Sequence, residues 1–474
     1  MTTLWTAQNA VVATGGKAHG DWVANGVSID TRTIQAGDLF VALKDVRDGH
    51  DFVAMALDKG AAAALVTHRP DGVADDAPLL VVDDVLTALE AMGRAARART
   101  DAKVIGVTGS VGKTSTKEML RTVLTPQGKT HVAEASYNNH WGVPLTLARM
   151  PVDTDYAVIE IGMSNPGEIA PLAQMAQPHV VMITTVAAAH LEAFKDVSGI
   201  AVEKSAIMDG LIAGGPAVLN ADIPTAGILT EKAQAVGAKI IGFGAHADDW
   251  QATDVRLVDD ATVVCATHQG VEYLFKLGLP GRHFAMNAVG CLAVVDAIGA
   301  DAGQAARDIA AWAPPGGRGT REVIVLDATQ PDDTLDLIDD AFNANPTSMT
   351  ASLEILAAAT PRDNVGCIVK GRRIAILGDM LELGPSGREM HRAIAHDTFL
   401  QSLDIVHCVG PSMAHLYAAL PEGQRGEHTD DADAMMAQIG QLIDAGDVVL
   451  VKGSKGSKVS RVVDAIRKLG HRRA

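Results

Sequence analysis

The stretch that most constrains this chain is Lys103–Met119, which reads KVIGVTGSVGKTSTKEM. A short β-branched run ends in a glycine loop, and a helix-like pattern follows the loop. This order is typical of phosphate binding, because backbone N–H groups and a helix N-terminus attract phosphate oxygens. Within the loop, Lys113 would supply a positive charge and Thr114 a hydroxyl for Mg²⁺. The stretch therefore predicts a nucleotide-phosphate site.

The loop departs from the usual P-loop spacing at one position. Counting back from Gly112, Val107 stands where G-x-x-x-x-G-K-[ST] has its first glycine, and Gly106 and Gly109 flank it. The alternative interpretation is a glycine-rich turn without a ligand. The strand before the loop and the helix after it favour the phosphate site.

Length and charge limit the classes of protein to consider. A chain of 474 residues favours two to four domains, and a net charge of −17 with no basic stripe argues against a nucleic-acid partner. No apolar run reaches membrane-spanning length and no signal peptide is evident, so we expect a cytoplasmic protein without a membrane span. The cysteines are far apart and without C-x-x-C pairs, which predicts four buried thiols rather than disulfides or a zinc site: Cys265, Cys291, Cys367 and Cys408.

Strand-like and helix-like runs alternate in three blocks, residues 1–100, 101–313 and 314–474. The clearest linker is Pro314–Gly319, where prolines and glycines cluster. The pattern predicts an α/β fold of three domains. We expect a small N-terminal α/β domain, a central P-loop domain with a parallel mononucleotide-binding sheet, and a C-terminal Rossmann-like domain.

Polar side chains follow several of the predicted strands. Glu160 interrupts the apolar run Tyr156–Ile161 near its end, and His190 follows the run Val180–Val186. Ligands of open α/β sheets bind beyond the carboxyl ends of the strands, so both should lie near the glycine loop. A carboxylate in an apolar strand is costly without a partner, which favours Glu160 as an Mg²⁺ ligand. For His190 a ligand role and an ordinary surface or core role stay equally open.

Other candidates are weaker when judged from the residues alone. The triplet Asp30–Arg32 could grip a phosphate or carboxylate, but a turn with a surface ion pair is the simpler interpretation. Lys204 lies in a predicted helix, Ser198–Leu211, where a solvated position is the default. Asn287, placed at a predicted helix start, could cap that helix or contact a base, and capping is the default. In the third block, strands again end in polar residues, which predicts a ligand-binding rim.

Four segments together resemble the Mur ligase family: Thr108–Thr114, Tyr137–Thr146, Glu160–Met163 and Ile338–Pro346. The resemblance covers essentially the whole chain and points to the branch that joins D-alanyl-D-alanine to UDP-N-acetylmuramoyl-tripeptide. It implies ATP-driven amide formation through an acyl phosphate, with ADP and phosphate as products. The implied partners are these small molecules, and we expect a monomer whose C-terminal domain closes on the centre when ligands bind.

The resemblance also implies roles for individual residues. The ATP phosphates would contact the whole loop: Thr108, Gly109, Ser110, Val111, Gly112, Lys113 and Thr114. Glu160 and Thr114 would hold one Mg²⁺, while His190 and a carbamylated Lys204 would support a second. The adenine, phosphate and ribose of ATP would contact Asn287, Arg318 and Asp340, respectively. The UDP-muramoyl substrate would contact a further set: Asp30, Thr31, Arg32, Asn138, Asn139, Asn343 and Asn345.

The match is imperfect in the third block. Phe342 replaces the tyrosine usual in the family, so a hydroxyl contact is lost there, and only Lys452 and Ser454 of the last motif are expected near the site. The rival enzymes are another Mur-type ligase, such as the one adding the third amino acid, and a folylpolyglutamate synthase. A rival of a different class is a nucleotide-dependent switch without ligase chemistry.

Overall fold

The structure is a computed structural model that describes residues 3–258, 260–366 and 368–472. Within these residues, strands and helices alternate through three mainly parallel sheets, which confirms the α/β prediction. The predicted boundaries between the three domains stay a prediction. No helix in the described part of the chain is long and apolar enough to cross a membrane.

The first block holds a five-stranded sheet. Its elements are β1 (Trp5–Thr6), α1 (Ala7–Thr14), β2 (Lys17–His19), β3 (Val23–Ala24), β4 (Gly26–Ser28), β5 (Asp38–Val41), α2 (Val53–Asp58), β6 (Ala63–Val66), β7 (Leu79–Val81) and α3 (Val85–Ala98). The strand order is β2-β7-β6-β5-β4, in which only the β2–β7 pair is antiparallel. Strands β1 and β3 form a separate pair.

The second block is built on a nine-stranded sheet. Its elements are β8 (Lys103–Thr108), α4 (Lys113–Leu124), β9 (Thr130–Val132), α5 (Gly142–Ala148), β10 (Tyr156–Glu160), α6 (Ile169–Ala176), β11 (Val180–Ile183), α7 (Val197–Ser205), β12 (Pro216–Asn220), α8 (Ala226–Ala235), β13 (Lys239–Gly244), β14 (Trp250–Val258), β15 (Ala261–His268), β16 (Val271–Leu277), α9 (Arg282–Ala297) and α10 (Ala302–Asp308). The order is β16-β15-β14-β13-β12-β11-β8-β10-β9, parallel from β14 to β9. The antiparallel strands β15 and β16 are an extension that the sequence patterns did not indicate.

The third block adds a seven-stranded sheet. Its elements are β17 (Thr320–Asp327), β18 (Gln330–Asp340), α11 (Pro346–Ala358), β19 (Arg373–Gly378), α12 (Gly387–Ala393), β20 (Ile405–Val409), α13 (Ala414–Ala419), β21 (Arg425–Thr429), α14 (Ala432–Leu442), β22 (Val448–Lys452), α15 (Ser460–Leu469) and β23 (His471–Arg472). The order is β21-β20-β19-β22-β18-β17-β23, with β17 and β23 antiparallel to their neighbours. Short 3₁₀ helices complete the chain at Gly49–Phe52, Ala206–Gly210, Ile309–Ala311, Gly384–Ser386, Ile394–His396, Leu400–Ser402, Glu422–Gln424 and Lys455–Ser457.

Strand β8 lies at the point where the chain order of the central sheet reverses. It pairs with β11 on one side and with β10 on the other, so the loops after all three strands meet at one edge. Val107 is fully buried in β8 and pairs with Glu160 and Met182. The residue at the first glycine position of the P-loop pattern is therefore part of the strand, and the phosphate loop begins after it.

Apolar side chains and buried hydrogen bonds join the blocks. The Trp5 indole donates to the carbonyl of Ala148 at 2.8 Å, and the Arg97 Nε donates to the carbonyl of Ala176 at 2.9 Å. Both donors belong to the first block and both acceptors to the second. Because buried polar groups are costly without partners, these bonds fix how the two blocks pack.

Two sequence predictions are wrong in detail. Helix α9 begins at Arg282, so Asn287 lies in its second turn and does not cap it. Cys265 lies on a strand of the antiparallel extension and is only partly buried, whereas Cys291 and Cys408 are buried as expected. The remaining prediction, for Cys367, concerns a position outside the described residues.

Candidate active site

The glycine loop wraps the end of β8 and feeds directly into α4. Gly109 and Gly112 both have positive φ, at 153° and 89°. A Cβ on Gly109 would clash with the Thr184 hydroxyl, and one on Gly112 would lie 2.8 Å from the Asn287 amide nitrogen. Glycine is required at both positions because backbone conformation and space each exclude a side chain. The loop therefore presents its N–H groups at the N-terminus of α4, where an anion is stabilised.

A buried carboxylate lies beside the loop. Glu160, the last residue of β10, is 1% exposed and accepts hydrogen bonds from Thr114 at 3.0 and 3.1 Å and from the Asn138 amide at 2.7 Å. Ser136 lies 3.0 Å from the Thr114 hydroxyl. The donors to Glu160 are neutral, and no ion pair to it occurs within the described residues. The Lys113 and Arg318 cations interact with Glu160 electrostatically from a longer distance. Because none of the groups hydrogen-bonded to it is charged, the carboxylate is available to bind a cation directly.

Three ionisable side chains lie near the loop: Lys113, Lys204 and His190. The Lys113 ammonium donates to the Gly109 carbonyl at 2.7 Å, and burial lowers the pKa of Lys113. Burial and the nearby Lys113 charge lower the pKa of Lys204 well below its usual value. Burial also lowers the pKa of His190, an effect that the Glu382 carboxylate opposes. Burial therefore shifts both Lys204 and His190 toward their neutral forms.

Lys204 lies at the end of α7 and is 1% exposed, so the solvated position that its helix alone suggested is wrong. Its neighbour Glu203 accepts hydrogen bonds from the backbone N–H groups of Gly167 and Ile169, at 2.8 and 2.9 Å. No hydrogen bond or ion pair to the Lys204 amine occurs in the part of the chain that the structure describes. Lys204 is thus a buried amine without a partner beside the phosphate loop.

The third block completes the site from the opposite side. Asp340, at the end of β18, accepts a hydrogen bond from the Lys452 ammonium at 2.6 Å and a second from the Ser352 hydroxyl. Arg318 donates to the Ser136 hydroxyl at 3.1 Å and lies 4.1 Å from the centre of the Phe342 ring. The phenylalanine thus supports Arg318 by a cation–π contact that needs no hydroxyl.

We call the resulting space the central cavity, of about 650 Å³. The predicted site residues that line it come from the second and third blocks: Ser110, Val111, Gly112, Lys113, Thr114, Asn138, Asn139, Glu160, His190, Asn287, Arg318, Asp340, Asn343, Asn345 and Lys452. Thr108 belongs to the strand behind the loop and Gly109 to the loop itself, while Lys204 is buried beside it. Strand ends of two sheets therefore meet around one cavity, as the sequence pattern predicted.

Some predicted residues have a structural contact that explains them equally well. The Asn139 side chain accepts a hydrogen bond from the Gly142 N–H at 2.9 Å, at the start of α5. Asn345 caps α11 by accepting from the Ser348 N–H at 2.9 Å, which confirms the helix start predicted there. The side chain of Asn343 accepts from the N–H of Ala344 at 2.9 Å. Their substrate contacts stay a prediction.

Asp30, Thr31 and Arg32 are not part of this cavity. They line a second space of about 1110 Å³, the N-terminal cavity, together with Lys44–His50, His68 and the ring of Trp141. Arg32 is 87% exposed and grips the Asp30 carboxylate through its Nε at 2.9 and 3.0 Å. The structure thus has the turn with a surface ion pair that the sequence predicted as the simpler interpretation. A role of these residues in ligand binding stays a proposal.

The segment Tyr137–Trp141 connects the two cavities. Asn138 and Asn139 line the central cavity, and the next two residues, His140 and Trp141, line the N-terminal cavity. A single extended ligand could therefore contact both spaces through one short stretch of backbone.

The donors present fit one Mg²⁺ well. The Glu160 carboxylate and the Thr114 hydroxyl are hard oxygen donors within 3.1 Å of each other, beside the phosphate loop. No group of three or more His, Cys, Asp or Glu side chains that could hold a metal ion occurs among the described residues. Mg²⁺ is usually held by one or two carboxylates together with phosphate and water. For a second ion, His190 and Lys204 themselves offer nitrogen donors, and a carbamate on Lys204 would add an oxygen donor.

Several contacts at the site were not predicted from the sequence. Ser136 joins Thr114 to Arg318, and Ser352 contacts Asp340. The fully buried Lys117 donates to the carbonyls of Ala133 and Ala135, at 2.8 and 3.2 Å, which supports the loop carrying Ser136 and Asn138. In the sequence, the only sign of this role was a lysine on the apolar face of α4, where a charged side chain needs buried partners.

Comparison with known proteins gives the same class. The chain matches the Mur ligase family, catalytic domain, over residues 23–107, the Mur ligase middle domain over 107–295, and the Mur ligase, glutamate ligase domain, over 326–455. These matches cover most of the chain, and the chain therefore belongs to the Mur ligase family.

Individual relatives resemble it over nearly their whole length. The UDP-N-acetylmuramoyl-tripeptide--D-alanyl-D-alanine ligase of Bacillus subtilis (strain 168) is 33% identical over 445 residues, 93% of each chain. A crystal structure of MurF from Acinetobacter baumannii aligns with a TM-score of 0.82 at 27% identity, covering 98% of this chain and 99% of that one. The MurF ligase of Thermotoga maritima in complex with ADP aligns with a TM-score of 0.75 at 25% identity, covering 94% and 97%.

Proposed function

We propose that this chain is an ATP-dependent ligase that joins D-alanyl-D-alanine to UDP-N-acetylmuramoyl-tripeptide in peptidoglycan precursor synthesis. The observation that carries the proposal is the central cavity, where a phosphate loop, a buried carboxylate and a rim from the third block meet. The full-length likeness to the Bacillus subtilis ligase supports the choice of substrates. The cytoplasmic location and the monomeric state stay predictions.

The reaction consists of two displacements. The terminal carboxylate of the tripeptide attacks the γ-phosphorus of ATP, which forms an acyl phosphate and releases ADP. The free amine of D-alanyl-D-alanine then attacks the acyl carbon, and phosphate leaves. Such reactions depend on positioning and on charge stabilisation rather than on covalent catalysis by the protein.

Each part of the central cavity has a task in this scheme. The N–H groups of Val111–Thr114 hold the phosphates, since the Ser110 N–H already donates to the Thr185 carbonyl at 2.8 Å. Lys113 exchanges its contact with the Gly109 carbonyl for the transferred phosphoryl group. Arg318 and Asp340 hold the phosphate and ribose of ATP, and Asn287 lies on α9 behind Gly112 for the adenine. Phe342 and Ser136 keep the Arg318 guanidinium in place.

Glu160 and Thr114 would hold Mg²⁺, which neutralises phosphate charge and polarises the transferred group. The amide of Asn138 fixes one oxygen of Glu160 and so orients the carboxylate. Supporting contacts of this kind preserve the geometry of a metal ligand when the site is empty.

Lys204 is suited to carbamylation. An amine must be neutral to attack CO₂, and burial beside Lys113 lowers the pKa of Lys204. The carbamate would place a negative oxygen donor near the His190 imidazole. It would also offset the Lys113 charge.

The UDP-muramoyl substrate is long enough to need both cavities. Asp30, Thr31 and Arg32 would hold its nucleotide end in the N-terminal cavity, and the segment Tyr137–Trp141 would guide the peptide end toward Glu160. The ion pair between Asp30 and Arg32 then opens, or shares Arg32, when a diphosphate binds.

A phosphate-release assay with purified protein tests the proposal. Release that requires both UDP-N-acetylmuramoyl-tripeptide and D-alanyl-D-alanine supports it. Turnover with a single amino acid, or with a folate and glutamate, would assign another ligase of this fold. ATP binding without acceptor-dependent release would favour a nucleotide-dependent switch.

A further inference from the structure

The loop after β19, in the third block, contacts His190, a residue that lines the central cavity. The Glu382 carboxylate lies 2.5 Å from the Nδ1 of His190, and the Glu192 N–H donates to the Glu382 carbonyl at 3.2 Å. Residues 190–192 belong to the second block and residue 382 to the third, so side chain and backbone both join the two blocks here.

Both partners have a backbone conformation that L-residues seldom adopt. His190 has φ 59° and Glu382 has φ 61°. L-residues in the left-handed region are strained, and they persist there only when their surroundings fix them. Next to them, a Cβ on Gly384 would lie 3.3 Å from the backbone of Glu192. The contact is therefore close-fitting on both sides.

The Glu382 loop is also fixed to the rim of the nucleotide site. The Leu381 N–H donates to the Ser454 hydroxyl at 2.9 Å, and the Ser454 N–H donates to the Asp379 carbonyl at 3.0 Å. Lys452, two residues before Ser454, donates a hydrogen bond to the Asp340 carboxylate. Hydrogen bonds and the short backbone segments between them thus link the proposed ribose contact to His190.

The chemistry of this contact defines the state of the imidazole. A carboxylate can only accept, so in the neutral ring Nδ1 carries the proton and Nε2 keeps its lone pair. His190 lines the central cavity, and no described residue donates to or accepts from its Nε2. The free lone pair is the one available to the cavity.

We propose that Glu382 is a positioning residue that fixes the tautomer and orientation of His190, and that it does so only when the third block is packed on the second. This inference rests on the proposed function, which gives His190 its role in the ligase reaction. Glu382 does not touch the reactants. Its side chain is 57% exposed, so the ion pair itself adds little to the stability of the fold.

The test compares Glu382→Ala, Glu382→Gln and the matched control Glu389→Ala, an exposed acid on the neighbouring α12. Gln keeps a carbonyl oxygen that accepts from Nδ1, whereas Ala keeps none. Ring ¹⁵N shifts of histidine-labelled protein, without nucleotide or metal and at pH 8, report the His190 tautomer. Subtraction of a His190→Gln spectrum assigns the signals.

We expect the wild type, E382Q and E389A to show the Nδ1–H pattern, and E382A to shift toward Nε2–H. In turnover, E382A should lower kcat ~10-fold or more with KM values within twofold, as for other residues that orient a ligand side chain. E382Q should recover most of this loss. A thermal melt verifies that E382A is folded. If it is not, Glu382→Ser serves as the second variant, because its short side chain has no carbonyl oxygen to accept from His190.

An unchanged ring pattern or an unchanged kcat in E382A would overturn the proposal, as would an E382Q as impaired as E382A. These results are distinct from a failure of the proposed function. In that case the wild type itself shows no turnover with the two substrates, while the ring pattern still reports the Glu382 contact.

Discussion

The central cavity and the N-terminal cavity hold their charged side chains in opposite environments. In the central cavity, Glu160 is 1% exposed and is held by neutral donors, and the buried Lys113 bonds to its own loop. In the larger N-terminal cavity, Arg32 is 87% exposed and pairs with Asp30. Electrostatic stabilisation is strongest where water is excluded, so we expect bond making in the first space and substrate capture in the second.

The largest effect is expected at the phosphate loop. Lys113→Ala should reduce turnover ~1000-fold or more, because one fixed charge at the transferred group is lost from a buried site. The melting temperature should stay near that of the wild type. The matched control is Lys103→Ala, which removes an exposed lysine at the start of β8, the strand before the loop. Steady-state rates near wild type for Lys113→Ala would contradict the role of the loop.

Lys204→Ala should lower kcat ~100-fold, since the variant has no amine to carbamylate. Added short carboxylates such as formate or acetate should restore part of the rate in a concentration-dependent way. The same carboxylates should not restore Lys113→Ala. Full activity of Lys204→Ala without rescue would mean that the carbamate has no role in this chain.

The N-terminal cavity should respond differently. Arg32→Ala should raise the KM for the UDP-muramoyl substrate ~10-fold and leave kcat within twofold, because a charged hydrogen bond outside the reacting centre contributes about 1.5–3 kcal/mol to binding alone. Arg94→Ala, which removes another exposed arginine paired with an acid, serves as the control. If Arg32→Ala instead lowered kcat at constant KM, the N-terminal cavity would affect the chemical step, and the proposed division between substrate binding and bond making would be wrong.

The smallest effect is expected far from both cavities. Burial lowers the pKa of His407 to about 4, while the unfolded chain has an ordinary value near 6.5. As the pH falls from 6.5 to about 4, His407 binds a proton in the unfolded state but not in the folded state. The free energy of unfolding therefore decreases over this range. His407→Gln should lose less stability than the wild type over that range and match its kinetics at pH 8. Urea unfolding at both pH values measures this, and identical pH slopes would contradict it.

The sequence predicted the parts of the site that depend on local pattern. Strand β8, the loop and α4 follow from β-branched residues, glycines and a helical repeat, and Glu160 was visible as a charge inside an apolar strand. Val107 is now explained, because it is a buried strand residue and the turn needs glycine only at Gly109 and Gly112.

The parts that depend on long-range packing were not predictable from local pattern. Lys204 has the sequence context of a solvated helix and is buried only because α7 packs beside the loop. Asn287 was expected to cap α9, but the helix begins five residues earlier. The contact between His190 and Glu382 joins residues 192 apart in sequence, and neither segment carries a motif for it.

The most direct test of the account follows the oxygen atoms of the tripeptide carboxylate. With both carboxylate oxygens labelled as ¹⁸O, an acyl phosphate passes one labelled oxygen to the phosphate that leaves when the amine attacks. Mass spectrometry of the released phosphate should therefore show one ¹⁸O per phosphate in each turnover. Unlabelled phosphate, released at the rate of peptide formation, would contradict acyl-phosphate chemistry in the central cavity.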